Sequence, residues 1–141
     1  MPWTAGVAWK AGSLLAATGV ASGALGAHAL ASRLGNKSAT WSMASHFAIM
    51  NGAALLAISQ HPQHGKRLPG LLIATGTVMF SGSIFALLLY RERMGGLTKL
   101  VGPTTPLGGV LMIAGYLGLV SLHWDIGFHR VSDHFLASFY E

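Results

Sequence analysis

Four stretches without Asp, Glu, Lys or Arg constrain this chain more than any other feature. They are Ala11–Ser32, Ser38–Gly65, Leu68–Tyr90 and Leu100–Trp124, of 22, 28, 23 and 25 residues. About 20 apolar residues at 1.5 Å each cross the hydrocarbon core of a bilayer. Trimming the polar ends leaves spans of about 11–30, 40–59, 70–90 and 107–124. Residues 1–124 are therefore predicted to form an all-α, integral-membrane four-helix bundle. The connectors are short, which makes sequential helices antiparallel neighbours in up-down order.

Composition excludes the main alternatives. Charged residues make up 9% of the chain and hydrophobic residues 52%, against about 25% charge in a soluble domain. So little charge cannot cover a water-soluble globule. A soluble enzyme or a nucleic-acid module is a poor reading despite the net charge of +5. Cysteine is absent, which removes disulfides, thiolate catalysis and iron–sulfur ligation together. No Asp or Glu lies in a span, and no nucleophile–base–orienter set is readable. The expectation is a protein that is not an enzyme and carries no cofactor and no metal. The pairs His61/His64 and His129/His134 lack a compact third ligand.

The punctuation between spans fits helix ends. Arg33-Leu34-Gly35-Asn36-Lys37 places a cation in a last turn, followed by Gly35 and Asn36 for a left-handed cap. Pro69 and Pro106 suit the first turns of helices three and four. Trp3, Trp9, Trp41, Tyr90 and Trp124 lie near span ends, where amphipathic rings favour the membrane interface over the core. Basic residues divide five to four between the two sides: Arg33, Lys37, Arg91, Arg93 and Lys99 against Lys10, Lys66, Arg67 and Arg130. That leaves the absolute orientation open. Helix one reads as an uncleaved anchor.

Residues 125–141 differ from the rest. Phe128, Phe135 and Phe139 recur at helical spacing in a more polar segment, which predicts an interfacial helix whose apolar stripe meets lipid or a partner.

Glycine is abundant, 19 of 141 residues. In lipid, small residues let backbones approach, and close approach supplies the association energy. Gly19, Gly23, Gly26, Ala48, Gly52, Gly108 and Gly109 are the expected packing residues, within the chain or between two copies. Thr75-Gly76…Ser81-Gly82 loosely echoes Thr18-Gly19…Ser22-Gly23, but the spacing differs and an internal repeat has little support.

The run Ser22-Gly23-Ala24-Leu25-Gly26-Ala27-His28-Ala29-Leu30 is the most specific motif. His46, Phe80-Ser81-Gly82-Ser83, Thr105-Pro106-Leu107-Gly108-Gly109 and Ala114-Gly115-Tyr116 follow it in order. Together they resemble the transmembrane protein 256 family, also called domain of unknown function 423, over roughly residues 12–122. The resemblance implies a small membrane protein of bacterial inner membranes or, in eukaryotes, of mitochondria. It implies no reaction. Ser45 before His46 departs from the Tyr-His common in that family, and the 125–141 tail extends past its usual end.

His28, His46 and Asn51 are the polar candidates inside spans. Such groups are costly in lipid and mark function or interhelical hydrogen bonds. The depths of His28 and His46, about 12 and 15 Å from a turn centred on Asn36, predict that both rings face protein in one network between helices one and two. Two readings of function follow. One is a structural or accessory subunit of a larger membrane complex, for example of the respiratory chain in the mitochondrial inner membrane. The other is a small oligomeric carrier or channel-like protein using the intramembrane histidines. Expected partners are lipids and other membrane subunits, with a homo-oligomer also open and nucleic acid excluded.

Overall fold

The computed structural model describes residues 3–61 and 67–137. Its long helices are α1 (Ala5–Ala27), α3 (Ser38–Ser59), α4 (Arg67–Met94) and α5 (Thr98–Ala137), with a one-turn helix α2 (Ala31–Leu34) before α3. Among the described residues, three segments are long and apolar enough to cross a membrane: Ala31–Ser59, Leu68–Tyr90 and Gly95–Ser121. The all-α membrane bundle is thus as expected, with one difference. The 23 residues of α1 reach about 34 Å, but Lys10, six residues into the helix, keeps α1 out of that apolar set.

The helices form two antiparallel pairs. α1 lies along α3, α4 lies along α5, and α3 joins the pairs by packing on α4. No comparable seam joins α1 to α5 among the described residues. Arg33 donates from Nη2 to the Leu89 carbonyl at 2.6 Å, which puts the turns of both pairs at one end. Trp3 beside Gly70, and Pro69 beside Gly118, mark the other end.

Both pairs turn in the same way. A glycine with positive φ, Gly35 at 49° or Gly95 at 47°, opens a three-residue 3-10 turn. Ser38 or Thr98 then starts the returning helix. A side chain is strained at such angles, so glycine is required. Gly35 has the positive φ expected of a cap, but its ψ of −121° lies outside the left-handed helical basin, and Asn36 has no positive φ.

Helix limits differ from expectation at three places. α1 begins at Ala5 because Thr4 caps it, accepting from the Val7 amide at 3.3 Å. α5 begins at Thr98 and carries Pro103 and Pro106 inside it. Those prolines remove backbone donors; the Thr104 hydroxyl turns back to the Val101 carbonyl at 2.7 Å, a local bond that threonine makes readily in apolar helices. α5 also runs unbroken through Trp124 to Ala137, so residues 125–137 continue the fourth helix instead of forming a separate one. At about 60 Å its 40 residues exceed any bilayer core. The stripe of Phe128 and Phe135 lies on this extension, outside the residues with described side chains, and Phe139 lies outside the described residues altogether.

Candidate functional site: polar seams within the bundle

Glycine faces create the seams. A Cβ added to Gly52 would lie 2.6 Å from the Ala16 amide nitrogen and 2.7 Å from the Gly12 carbonyl oxygen. One on Gly19 would lie 2.8 Å from both the Ile49 nitrogen and the Ser45 oxygen. Backbone therefore meets backbone, as small residues permit in a membrane. Gly12, Gly19 and Gly26 fall seven residues apart, the repeat of a left-handed helix pair. Among the expected packing residues, Gly19, Gly26, Ala48, Gly52 and Gly108 are buried. Gly23 and Gly109 take no part in the seams within the chain. Gly23 has only the Ser45 Cβ nearby at 3.8 Å, and nothing approaches Gly109. The true partners of Gly19 and Gly108 stand at seven-residue spacing, on another face from residues 23 and 109. Gly12, Gly76 and Gly115 are seam residues that the four-residue motif conceals.

Hydroxyls line the α1–α3 seam. The Ser22 and Ser45 hydroxyl oxygens are 3.1 Å apart, and each also reaches a carbonyl of its own helix, Gly19 at 3.1 Å and Trp41 at 3.2 Å. The Trp41 indole lies over Gly26 and donates to the Ser22 carbonyl at 2.7 Å. Trp41 is thus only 4% exposed, which corrects its expected place at the interface. Gly26 leaves room for the ring, and burial satisfies its single donor.

A second cluster ties α3, α4 and α5. The Asn51 amide donates to the Met112 sulfur at 3.0 Å, and its Oδ1 accepts from the Tyr116 hydroxyl at 2.5 Å. Thr77 donates to the Ile73 carbonyl at 2.6 Å, with the same sulfur 3.6 Å away. Ser81 donates to the Ala44 carbonyl at 2.8 Å, and Ser83 and Thr105 share a hydrogen bond of 2.6 Å. Every group here is uncharged. Among the described residues no buried side-chain N or O lacks a partner. Such a network fixes register and rotation of helices.

The histidines do not join it. His28 caps α1, its backbone amide donating to the Ala24 carbonyl at 3.1 Å, and its side chain is exposed. His46 is exposed on α3, with Nδ1 3.4 Å from the Ser42 hydroxyl. The expectation that both rings face protein in one network is therefore wrong. Position along two neighbouring helices sets depth, whereas rotation about each axis decides which way a side chain points, and the glycine seams set that rotation. Of the three polar candidates only Asn51 is internal. Sequence reasoning missed Tyr116, Thr77, Ser22 and Ser45, whose only signal is that hydroxyl-bearing residues interrupt apolar faces, and Met112, which carries no polar signal at all.

The sequence of this bundle has known relatives. A family model described as "Protein of unknown function (DUF423)" matches residues 22–109, more than half of the chain. The chain belongs to the DUF423 family. A "UPF0382 membrane protein" of Schizosaccharomyces pombe is 35% identical over 111 residues, covering 77% of this chain and 93% of the relative. A protein of the same description in Staphylococcus saprophyticus is 38% identical over 113 residues, covering 77% and 89%. One in Staphylococcus haemolyticus is 34% identical over 113 residues. No solved structure matches. The matched segment of this DUF423 protein holds the Ser22–Ser45–Trp41 knot, Asn51, and the Gly76–Gly108 contact.

Proposed function

We propose that this DUF423 protein is a structural or accessory subunit of a larger membrane assembly and performs no catalysis of its own. The observation that carries the reading is the exposed Ser42–His46 pair. His46 is the ninth residue of α3, about 12 Å along the helix from Ser38, and points away from the bundle. Leaving imidazole nitrogens against hydrocarbon costs on the order of 2 kcal/mol or more. A polar group on a neighbouring polypeptide removes that cost. Fungal and bacterial relatives place the family in membranes of both kinds of cell. The proposed locations are a mitochondrial inner membrane, with a respiratory-chain complex as one candidate host, or a bacterial plasma membrane. The carrier reading is weaker, because Asn51 is buried while His28 and His46 lie outside, so the three line no common path.

The test is purification in mild detergent followed by sizing and mass spectrometry of what accompanies the chain. Stable unlike membrane subunits, lost with His46→Leu, are expected. A particle containing this chain and lipid alone, unchanged by His46→Leu, sinks the proposal.

A further inference from the structure

The two helix pairs repeat one another atom for atom at their seams. Gly52 approaches the Gly12 oxygen and Ala16 nitrogen; Gly115 approaches the Pro69 oxygen and Ile73 nitrogen. Gly19 approaches the Ser45 oxygen and Ile49 nitrogen; Gly76 approaches the Gly108 oxygen and Met112 nitrogen. One offset relates α1 to α4 (69 − 12 and 76 − 19 are both 57). Another relates α3 to α5 (115 − 52 and 108 − 45 are both 63). The weak Thr18-Gly19 and Thr75-Gly76 echo falls on the first offset. The chain is a tandem of two like-oriented hairpins, a parallel repeat of the kind membrane proteins build by duplication.

The hairpins are joined on one side only. The face of α3 that holds α4 includes Ala44 and Phe47, which meet Ser81 and Phe80; its counterpart on α5 is Leu107 and Val110. The face of α4 that holds α3 includes Ala74, packed with Leu55, and Ser81; its counterpart on α1 is Ala17 and Ala24. All four counterparts are exposed, Leu107 at 55% and Val110 at 61%. Each copy thus carries one free face of each type. The small side chains Ala17 and Ala24 permit the close approach that such seams need.

We propose that a second copy of this chain docks its α1 on α5, in the register that α4 uses on α3. The contact is head-to-tail, the heterologous kind that closes into a ring when its rotation allows. The occupant is a second copy because the template is an interface between two hairpins of this fold, and the free faces continue it. The Ser81–Ala44 contact, with its hydroxyl-to-carbonyl bond of 2.8 Å, maps onto Ala24 of one copy against Leu107 of the next. The Phe47–Phe80 ring contact, with centroids 4.9 Å apart, maps onto Val110 against Gly23.

The chain has no cysteine, so engineered pairs report without background. Differently tagged A24C and L107C full-length chains are co-expressed and oxidised in native membranes, as are G23C and V110C. An A44C/S81C chain serves as intrachain control and shows that folding is intact. A disulfide-linked dimer containing both tags is expected from either mixture, and none from L25C with L107C, since Leu25 lies on another flank of α1. With the control closing, absence of the dimer in both mixtures overturns the proposal. Dimers of A24C with itself in preference to L107C also overturn it, because they place α1 on α1. Co-purification of unlike subunits is a separate readout, so failure of the subunit reading leaves this one standing, and the reverse.

Discussion

The first hairpin closes with glycine on its outer helix and hydroxyls between the helices; the second closes with glycine mainly on its returning helix. In α1 and α3 the stripe Gly12, Gly19 and Gly26 lies against Trp41, Ser45 and Gly52. In α4 and α5 a single Gly76 meets Gly108, and Gly115 sits over Pro69 and Ile73. The backbone register is nevertheless shared. Interhelical distance at each crossing depends on one missing Cβ at each contact, and either helix can supply it. What a hairpin of this type conserves is a set of backbone-to-backbone contacts, and side-chain identity is free around them.

The largest expected effects test that equivalence. Gly52→Ala and Gly115→Ala place the new Cβ against the same two backbone atoms, as do Gly19→Ala and Gly76→Ala. Overpacking of this kind costs about 1–3 kcal/mol. All four variants should lower the thermal midpoint in detergent by similar amounts. A loss confined to one hairpin breaks the comparison.

The turns come next. Gly35→Ala and Gly95→Ala each place a side chain at positive φ, at about 1–2 kcal/mol. Equal shifts in thermal midpoint are expected, because both turns have open space around the Cβ position and differ little in angle. If alanine is tolerated at one turn only, the turns are not equivalent.

A smaller effect separates the hairpins. Asn51 and Tyr116 belong to different hairpins, and membrane hydrogen bonds average about 0.6 kcal/mol. A double-mutant cycle with Asn51→Ala and Tyr116→Phe should show coupling near that value. Zero coupling removes this tie and leaves the Ser81–Ala44 and Arg33–Leu89 hydrogen bonds, with packing, to join the hairpins. Smallest of all, Gly23→Ala and Gly109→Ala should change the midpoint hardly at all, since a Cβ at 23 makes only an ordinary contact and one at 109 makes none. Loss of stability in either one relocates the seam.

The all-α class, the membrane setting and the turns were legible because each rests on local information. A run without charge is apolar whatever surrounds it, and Gly35 breaks a helix by its own conformational freedom. The Asn51 site was half legible, since an amide inside a span needs partners wherever it points. Its partners were not, because Met112 and Tyr116 stand 61 and 65 positions away. Gly23 and Gly26 looked alike in sequence, yet only Gly26 lies under the Trp41 ring. Trp41 looked like an interface residue because proximity to a span end is a linear property, whereas burial is not.

The sequence by itself determined that this chain is helical, lies in a membrane and packs through small residues, since hydropathy and the size of a side chain belong to single positions. The tertiary structure decided which glycines are seams, that His28 and His46 point outward, and that two dissimilar halves are the same hairpin. Those are matters of helix rotation and register. A shift of one residue turns a helix face by about 100°, and only contact with the neighbouring backbone selects the angle.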